Sequence, residues 1–525
     1  MSLRVPAAPV RALRAVAATA DQAATQAAME VFTHGGNAVD AAIGANAAIA
    51  VTGPHMCGLG GDLLALVRTR DGAIHGLNAS GRAGSGADAE ALRADGHRVM
   101  PMRHDIRTAT VPGCVDGWAA LHDRFGSLDL ATVLAPAVRL AASGFPASPL
   151  LVRSLGMLDD AATERFVELV EQATHPGARV RRPGVALTLQ AIGAGGREAF
   201  YGGAFGEGLI ALGGGWFSEA DLVARHADWV EPLQAHAFGV DLHTMGPNSQ
   251  GYLLLGAARL ADAVGLPTDP DDAAWAHLLV EAASTAGFDR PDVLHHEADG
   301  AALLDAIHAR AHLLDLERAG RRPVAATAGD TTYLCTADAT GLAVSLIQSN
   351  ASGFGTWLVE PITGINVHNR GLGFSLQPGH PAEVAPGRRP PHTLCPALAT
   401  RDGALAAVFG TMGGDAQPQI LLQVAARLFA GGSGVADAIA AARWVLQGAG
   451  TGFDTWTSGG PPAVAVEEQA PDAWRRGLAA RGHVVADAPA FDSGFGHAHA
   501  IVVEPGGTFA ASADPRARVG SAAGL

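Results

Sequence analysis

The chain contains no lysine: all 36 basic residues among its 525 are arginine. Pyridoxal-phosphate enzymes, Schiff-base aldolases and Walker A nucleotide-binding loops all need a lysine amine at a fixed place. The sequence therefore excludes these three classes. It also lacks the motif G-x-S-x-G, the turn that presents the serine nucleophile of many hydrolases.

Cysteine, positive charge and long apolar runs are scarce as well. Four cysteines without a C-x-x-C motif predict reduced, mostly buried thiols rather than a disulfide framework. The net charge of −15 argues against nucleic acid or an anionic membrane as a partner. No apolar run approaches the ~18 residues of a transmembrane helix, and arginines interrupt the N-terminal stretch. We therefore expect no signal peptide and a cytoplasmic protein.

Histidine is frequent, with 21 residues, and raises the question of a metal site. His497 and His499 lie on one face of a predicted strand, and His295 and His296 are adjacent. Neither pair has H-E-x-x-H spacing, and His497 and His499 have no third ligand nearby in sequence. We interpret these histidines as buried or surface side chains, and we expect neither a metal nor an organic cofactor.

The order of predicted elements indicates the architecture. Residues 22–52 predict two alanine-rich helices joined at HGGNA, with Asn37 as a helix cap. HMCGLGGDLLALVRTRDGAIHGL then predicts a Gly-rich turn and two strands joined by a DG hairpin turn. Mainly helical sequence follows to about residue 320, and hairpin-connected strands follow from residue 331. Helices followed by strands, twice over, favour two antiparallel sheets between helices rather than a βαβ pattern. The segment 377–391, rich in Pro, Gly and Arg, predicts a loop or lid.

Several motifs occur in order along almost the whole chain: HGGNAVDAAIGANAAIAVTGPHMCGLGGD, TVPGCVDGW, TMGPNSQG, GDTTYLC, GTMGGD and ADPR. Each is weak alone, but together they resemble the γ-glutamyltranspeptidase family. The resemblance implies an α+β fold, the αββα sandwich of N-terminal-nucleophile hydrolases. It also implies an inactive precursor that cuts itself before a threonine.

On this sequence the implied cleavage falls between Asp330 and Thr331. Residues 1–330 would form a large subunit and 331–525 a small one, intertwined in one catalytic domain. The protein's partner would be its own second fragment, as a heterodimer or a dimer of heterodimers. Cleavage would place an α-amine, with a pKa of about 7.7–8.0, beside the Thr331 hydroxyl as its base. Without the resemblance, Thr331 and Thr332 would be two strand-forming residues.

Three further catalytic roles carry over from the family. Ser349 stands where the family has a threonine that hydrogen-bonds the nucleophile. Gly413 and Gly414 match the glycine pair whose backbone N–H groups form the oxyanion hole, because residues without a Cβ let the main chain approach the substrate. The alternative for the glycine pair is a plain turn before a helix.

The family's residues for the glutamyl amino group are replaced here. Arg370 stands at the amide position and Gly373 at the acidic position of HNRGLGF, and Ala351 replaces an asparagine. A guanidinium repels an ammonium group and attracts a carboxylate. Arg370 is therefore predicted to bind a substrate carboxylate. The alternative is a structural ion pair.

The carboxylate-binding positions also differ. His392 and Thr393 replace a serine pair, and Ser80 stands where the family has a carboxylate-binding arginine. Arg82 lies two residues further on and is predicted to reach the same place.

These substitutions favour an amidohydrolase for a small amide whose acyl group carries a carboxylate but no α-amino group, such as oxamate or another dicarboxylic monoamide. Two alternatives stay open. One is a γ-glutamyl hydrolase or transferase acting on glutathione or γ-glutamyl amides. The other is a family member that is never processed and does not catalyse.

Overall fold

The computed structural model describes residues 8–320, 330–447 and 463–525. Residues 1–7 and Gly329, the first residue of GDTTYLC, lie outside the described residues. Two seven-stranded antiparallel sheets face each other, and helices cover the outer side of each. The predicted α+β sandwich is confirmed.

The first sheet contains the strand that begins at Thr331. Thr331 pairs with Ser349 at one end of the central hairpin, and Ser349 pairs with Asp62 on the next strand. In spatial order its strands are Ser521–Gly524, Ala15–Thr19, Thr331–Asp338, Ala343–Ser349, Asp62–Arg68, Ile74–Ala79 and Asp228–Val230.

The second sheet contains the strand that leads to Gly413. In spatial order its strands are Val10–Ala12, Phe509–Ser512, Ala498–Val503, Ala404–Thr411, Ala397–Arg401, Val240–Thr244 and Leu233–Ala237. Side chains such as Tyr333 and Ile347 from the first sheet and Val408 and Ile501 from the second form the apolar layer between the sheets. Smaller sheets pair Phe145–Pro146 with Arg179–Val180, Val359–Glu360 with Ile365–Asn366, and Trp444–Gln447 with Ala463–Glu467 and Val484–Ala488.

Alanine-rich helices cover the first sheet. Every residue of Ala38–Thr52 is buried, and the Asn37 side chain accepts hydrogen bonds from the N–H groups of Val39 and Asp40, which confirms the predicted cap. The helices of this half are Gln22–Thr33, Ala38–Thr52, Ala89–Ala94, Cys114–Phe125, Leu130–Ser143, Pro149–Leu155, Asp160–Arg165, Val167–Gln172, Pro183–Gly195, Glu198–Tyr201, Ala204–Gly213 and Glu219–Val223.

The second sheet packs against a separate apolar core formed with later helices. These are Tyr252–Val264, Ala273–Gly287, Arg290–Val293, Gly300–Ala309, Gln417–Ala425, Val435–Ala440 and Asp472–Ala480. In the parts of the chain described, no helix is both long and apolar enough to cross a bilayer. The four cysteines are free and buried, as predicted.

Each sheet contains strands from both sides of the 330/331 bond. Thr331–Asp338 lies between Ala15–Thr19 and Ala343–Ser349, and Ala397–Arg401 lies beside Val240–Thr244. Neither segment therefore contains all the strands of either sheet.

Candidate active site

Thr331 lies at the start of the central strand of the first sheet and is 1% exposed. Its Oγ1 lies 3.1 Å from Ser349 Oγ on the paired strand. The same Ser349 hydroxyl donates to the carbonyl oxygen of Asp330 at 3.0 Å and accepts from the N–H of Ala351 at 2.8 Å. The strand register therefore brings the predicted nucleophile, its predicted partner and the predicted scissile carbonyl together.

A cavity of about 240 Å³ adjoins these groups. Its walls include Asp330, Met412, Gly413, His55, His497 and Arg153. Gly413 has a φ of 140° and Gly414 a φ of 56°, which are conformations that favour glycine. Gly414 also begins a short 3₁₀ turn before the helix Gln417–Ala425. Gly413 thus faces the cavity while the pair makes the turn into the helix.

Two histidines of the cavity wall have ring nitrogens without a hydrogen-bond partner. Both nitrogens of His55 lack one, although the residue is only 2% exposed. His497 Nε2 lies 2.9 Å from Ser493 Oγ, and its Nδ1 has no partner. Burial, and then the nearby His497, lower the pKa of His55 to about 3, and burial lowers the pKa of His497 to about 4. Both imidazoles are therefore neutral near pH 7 and can exchange hydrogen bonds with a ligand.

Arg370 lies in a buried ionic cluster centred on Asp62. Its guanidinium donates to both Asp62 carboxylate oxygens and, at 3.2 Å, to Thr393 Oγ1. His392 Nε2 lies 2.9 Å from Asp62 Oδ2. Burial alone raises the pKa of Asp62, but the Arg370 guanidinium and then His392 hold it well below its usual range. These contacts agree with the alternative that Arg370 forms a structural ion pair. Its binding of a substrate carboxylate stays a prediction.

Arg82 lies nearer the surface, where it donates to Asp228 Oδ2 at 2.8 Å. A different guanidinium, that of Arg389, contacts Ser80 Oγ at 2.9 Å and also Asp228. Arg389 comes from the predicted 377–391 loop, in which no helix or strand is formed. Ser80 stands where the family has a carboxylate-binding arginine. A different arginine, Arg389, thus reaches Ser80 from a distant segment of the chain.

A cluster with the composition of a metal site lies elsewhere. Ligand atoms of His277, Glu281 and His483 lie within 4.8 Å of one another. His277 Nδ1 is 2.8 Å from His483 Nε2, and Glu281 accepts from the N–H of Gly320 at 2.9 Å. These contacts form an ordinary hydrogen-bonded network. None of the three residues lines the cavity beside Thr331.

Sequence reasoning missed several residues that the fold places at or near the cavity. His55 occurs in the motif HMCGLGGD without a predicted role, and the sequence predicts His497 only as a buried or surface side chain. Asp62 occurs in the same motif. Its only sequence signal is an acidic residue directly before a run of five apolar residues.

Comparison with known proteins identifies the family. A family model described as gamma-glutamyltranspeptidase matches residues 24–524. An oxamate amidohydrolase proenzyme of Klebsiella pneumoniae is 34% identical, over 95% of this chain and 96% of that protein. An acylase ACY 1 proenzyme of a Pseudomonas species is 29% identical, over 97% and 93%. The crystal structure of a cephalosporin acylase from Bacillus halodurans matches with a TM-score of 0.89 and 32% identity, over 100% and 98%. The chain therefore belongs to the γ-glutamyltranspeptidase family, and it is a hydrolase that acts on amide bonds.

Proposed function

We propose that the protein cuts itself between Asp330 and Thr331 and then hydrolyses a small amide through an ester on Thr331. The observation that carries this proposal is the contact of Thr331 Oγ1 with Ser349 Oγ, 3.1 Å apart, beside a cavity that Gly413 lines. The substrate's acyl group carries a carboxylate and no α-amino group. The oxamate amidohydrolase among its relatives supports a small anionic amide.

In the proposed mechanism each group has one role. The Thr331 α-amine, free after cleavage, takes the hydroxyl proton as Oγ1 attacks the amide carbon. Ser349 orients the hydroxyl, and the backbone N–H groups of Gly413 and Gly414 stabilise the oxyanion. The C–N bond breaks, and the proton passes to the leaving amine. Water then hydrolyses the ester and restores Thr331.

The first prediction tests the nucleophile. Thr331→Ala should give a folded, uncut chain without turnover, because no hydroxyl remains to attack. Wild type should give fragments of 330 and 195 of the 525 residues, and the smaller one should begin TTYLC on N-terminal sequencing. Ammonia release from a panel of small amides reports turnover.

Thr331→Ser is the matched control: it keeps the hydroxyl and the amine, so it should cut and retain part of the activity. Hydrolysis by Thr331→Ala, or by uncut wild type, would show that the nucleophile is misplaced. A wild-type preference for γ-glutamyl-p-nitroanilide over matched amides without the α-amino group would instead favour a γ-glutamyl hydrolase.

A further inference from the structure

The residue that precedes the nucleophile, Asp330, forms part of the cavity wall. Asp330 lines the cavity together with His55 and Gly413, and its carboxylate accepts a hydrogen bond from the backbone N–H of Gly353. A Cβ atom at Gly353 would lie only 2.8 Å from Asp330 Oδ2. The glycine therefore leaves room for a carboxylate that a larger residue would displace.

An arginine is fixed in the same loop that holds this carboxylate. Arg103 donates from Nη2 to Ser352 Oγ and from Nη1 to the carbonyl oxygen of Gly355, both at 2.7 Å. Its guanidinium carbon lies 4.7 Å from the ring centre of Trp357. Loop contacts on both guanidinium nitrogens and an aromatic face hold the cation in one orientation.

Arg103 and the Asp330 carboxylate lie against the same loop: Arg103 contacts Ser352 and Gly355, and Asp330 Oδ2 lies beside Gly353. Burial raises the pKa of the Asp330 carboxyl, and Arg103 is the first of two arginines whose charge offsets part of that rise; the second is Arg153. Arg153 lines the cavity, which Arg103 does not, but the Arg153 side chain is exposed. Once the Asp330 carboxylate moves away, the half-buried guanidinium of Arg103 can act on another anion.

Self-cleavage and substrate hydrolysis place their acyl groups on the same atom, Thr331 Oγ1. In self-cleavage this acyl group belongs to Asp330, so its side chain occupies the place of a substrate's acyl tail. We propose that Asp330 marks the binding position of the substrate carboxylate and that Arg103 binds it. The inference rests on the proposed function and narrows its substrate to a monoamide of a four-carbon dicarboxylic acid, succinamate, because two carbons separate the carboxylate of aspartate from its carbonyl carbon.

The bond changes are the same for both acyl groups. Thr331 Oγ1 bonds to the acyl carbon and the C–N bond breaks. In self-cleavage the nitrogen stays on Thr331 as its α-amine; with succinamate it leaves as ammonia, carrying the proton from the hydroxyl. Water then adds to the ester, and the C–O bond to Thr331 breaks. The products are the free carboxyl of Asp330 in the first case and succinate in the second.

The kinetic test compares oxamate, malonamate, succinamate and glutaramate with butanamide, which has the four-carbon acyl chain but no carboxylate. Cleaved wild type should prefer succinamate. Arg103→Met should lower kcat/KM for succinamate about tenfold to a hundredfold, mostly through KM, and change butanamide little. Arg103→Lys should lie between them. Arg165→Met is the matched control, since Arg165 also contacts Trp357 but is exposed.

A binding test needs no turnover. Succinate, measured by calorimetry, should bind to cleaved wild type, bind at least tenfold more weakly to Arg103→Met, and fail to bind to uncut Thr331→Ala, in which Asp330 holds the position. Self-cleavage and thermal unfolding report whether each variant folds. If Arg103→Met folds but does not cleave, Arg103→Lys takes its place.

The outcomes separate the two proposals. Equal losses on succinamate and butanamide, a wild-type preference for oxamate, or succinate binding unaffected by Arg103→Met would overturn the carboxylate site while leaving the amidohydrolase proposal intact. Succinate binding that depends on Arg103, without hydrolysis of any amide by cleaved enzyme, would overturn the amidohydrolase proposal and keep the site.

Discussion

At the residue scale, the sequence and the structure point to different roles for Arg370. The sequence predicts that it binds a substrate carboxylate, whereas the fold surrounds it with Asp62, Thr393 and His392. Asp62 is fully buried. Removing one partner of a buried ion pair is costly because the other charge stays in a low-dielectric surrounding.

Arg370→Gln should therefore lower the free energy of unfolding by about 3–5 kcal/mol, measured by urea unfolding of the uncut Thr331→Ala chain. Arg11→Gln is the control: Arg11 pairs with Glu504 but is 57% exposed, so little change is expected. If Arg370→Gln leaves stability unchanged and lowers kcat/KM only for anionic amides, the structural account is wrong and the substrate role holds.

Local sequence signals predict individual residues of the candidate site, but not the residues that pack around them. Thr331 and Ser349 could be predicted because hairpin pairing and the family motifs both place them together. Asn37 could be predicted because capping depends on adjacent residues. The approach of Arg103 to Asp330, or of His55 to His497, depends on how distant segments pack, and no periodicity encodes that.

At the element scale, the segment 377–391 lacks helices and strands but is fastened at one end. Arg389 is 5% exposed and donates to Ser80 Oγ, to the carbonyl oxygen of His226 at 2.8 Å and to Asp228. Its composition predicts a loop or lid; its contacts show how one arginine ties the loop to the first sheet.

Arg389→Met should free this loop, because several hydrogen bonds of a buried guanidinium are lost at once. Limited proteolysis followed by mass spectrometry should then find cleavage within 377–391 several-fold faster than in wild type. The neighbouring Arg388→Met is the matched control, since the Arg388 side chain makes one described hydrogen bond, to the carbonyl oxygen of Glu383. Equal proteolysis of both variants would show that Arg389 does not fasten the loop.

At the scale of the whole molecule, the two segments on either side of residue 330 cannot be separated without dismantling both sheets. Thr331–Asp338 pairs with Ala15–Thr19, and Ala343–Ser349 pairs with Asp62–Arg68. An apolar layer drawn from both segments fills the space between the sheets. Cutting one peptide bond removes none of these contacts, so stability after processing rests on the same interior as before.

That interior also contains neutral histidines, which couple stability to pH. Burial lowers the pKa of His499 to about 3, as it lowers that of His55 to about 3 and those of His392 and His497 to about 4. An unfolded histidine has a pKa of about 6.5. Between these values the unfolded chain binds more protons than the folded one, so the free energy of unfolding falls as pH falls from about 6.5 towards 4.

Each such histidine contributes a slope of about 1.4 kcal/mol per pH unit where only the unfolded form is protonated. His499→Gln should therefore reduce the pH dependence by about that amount between pH 4.5 and 5.5, measured by urea unfolding of the uncut Thr331→Ala chain. The exposed His236→Gln is the control and should leave the slope unchanged. An unaltered slope in His499→Gln would mean that His499 takes up its proton in the folded state, which its full burial beside the ring of Tyr333, between the two sheets, opposes.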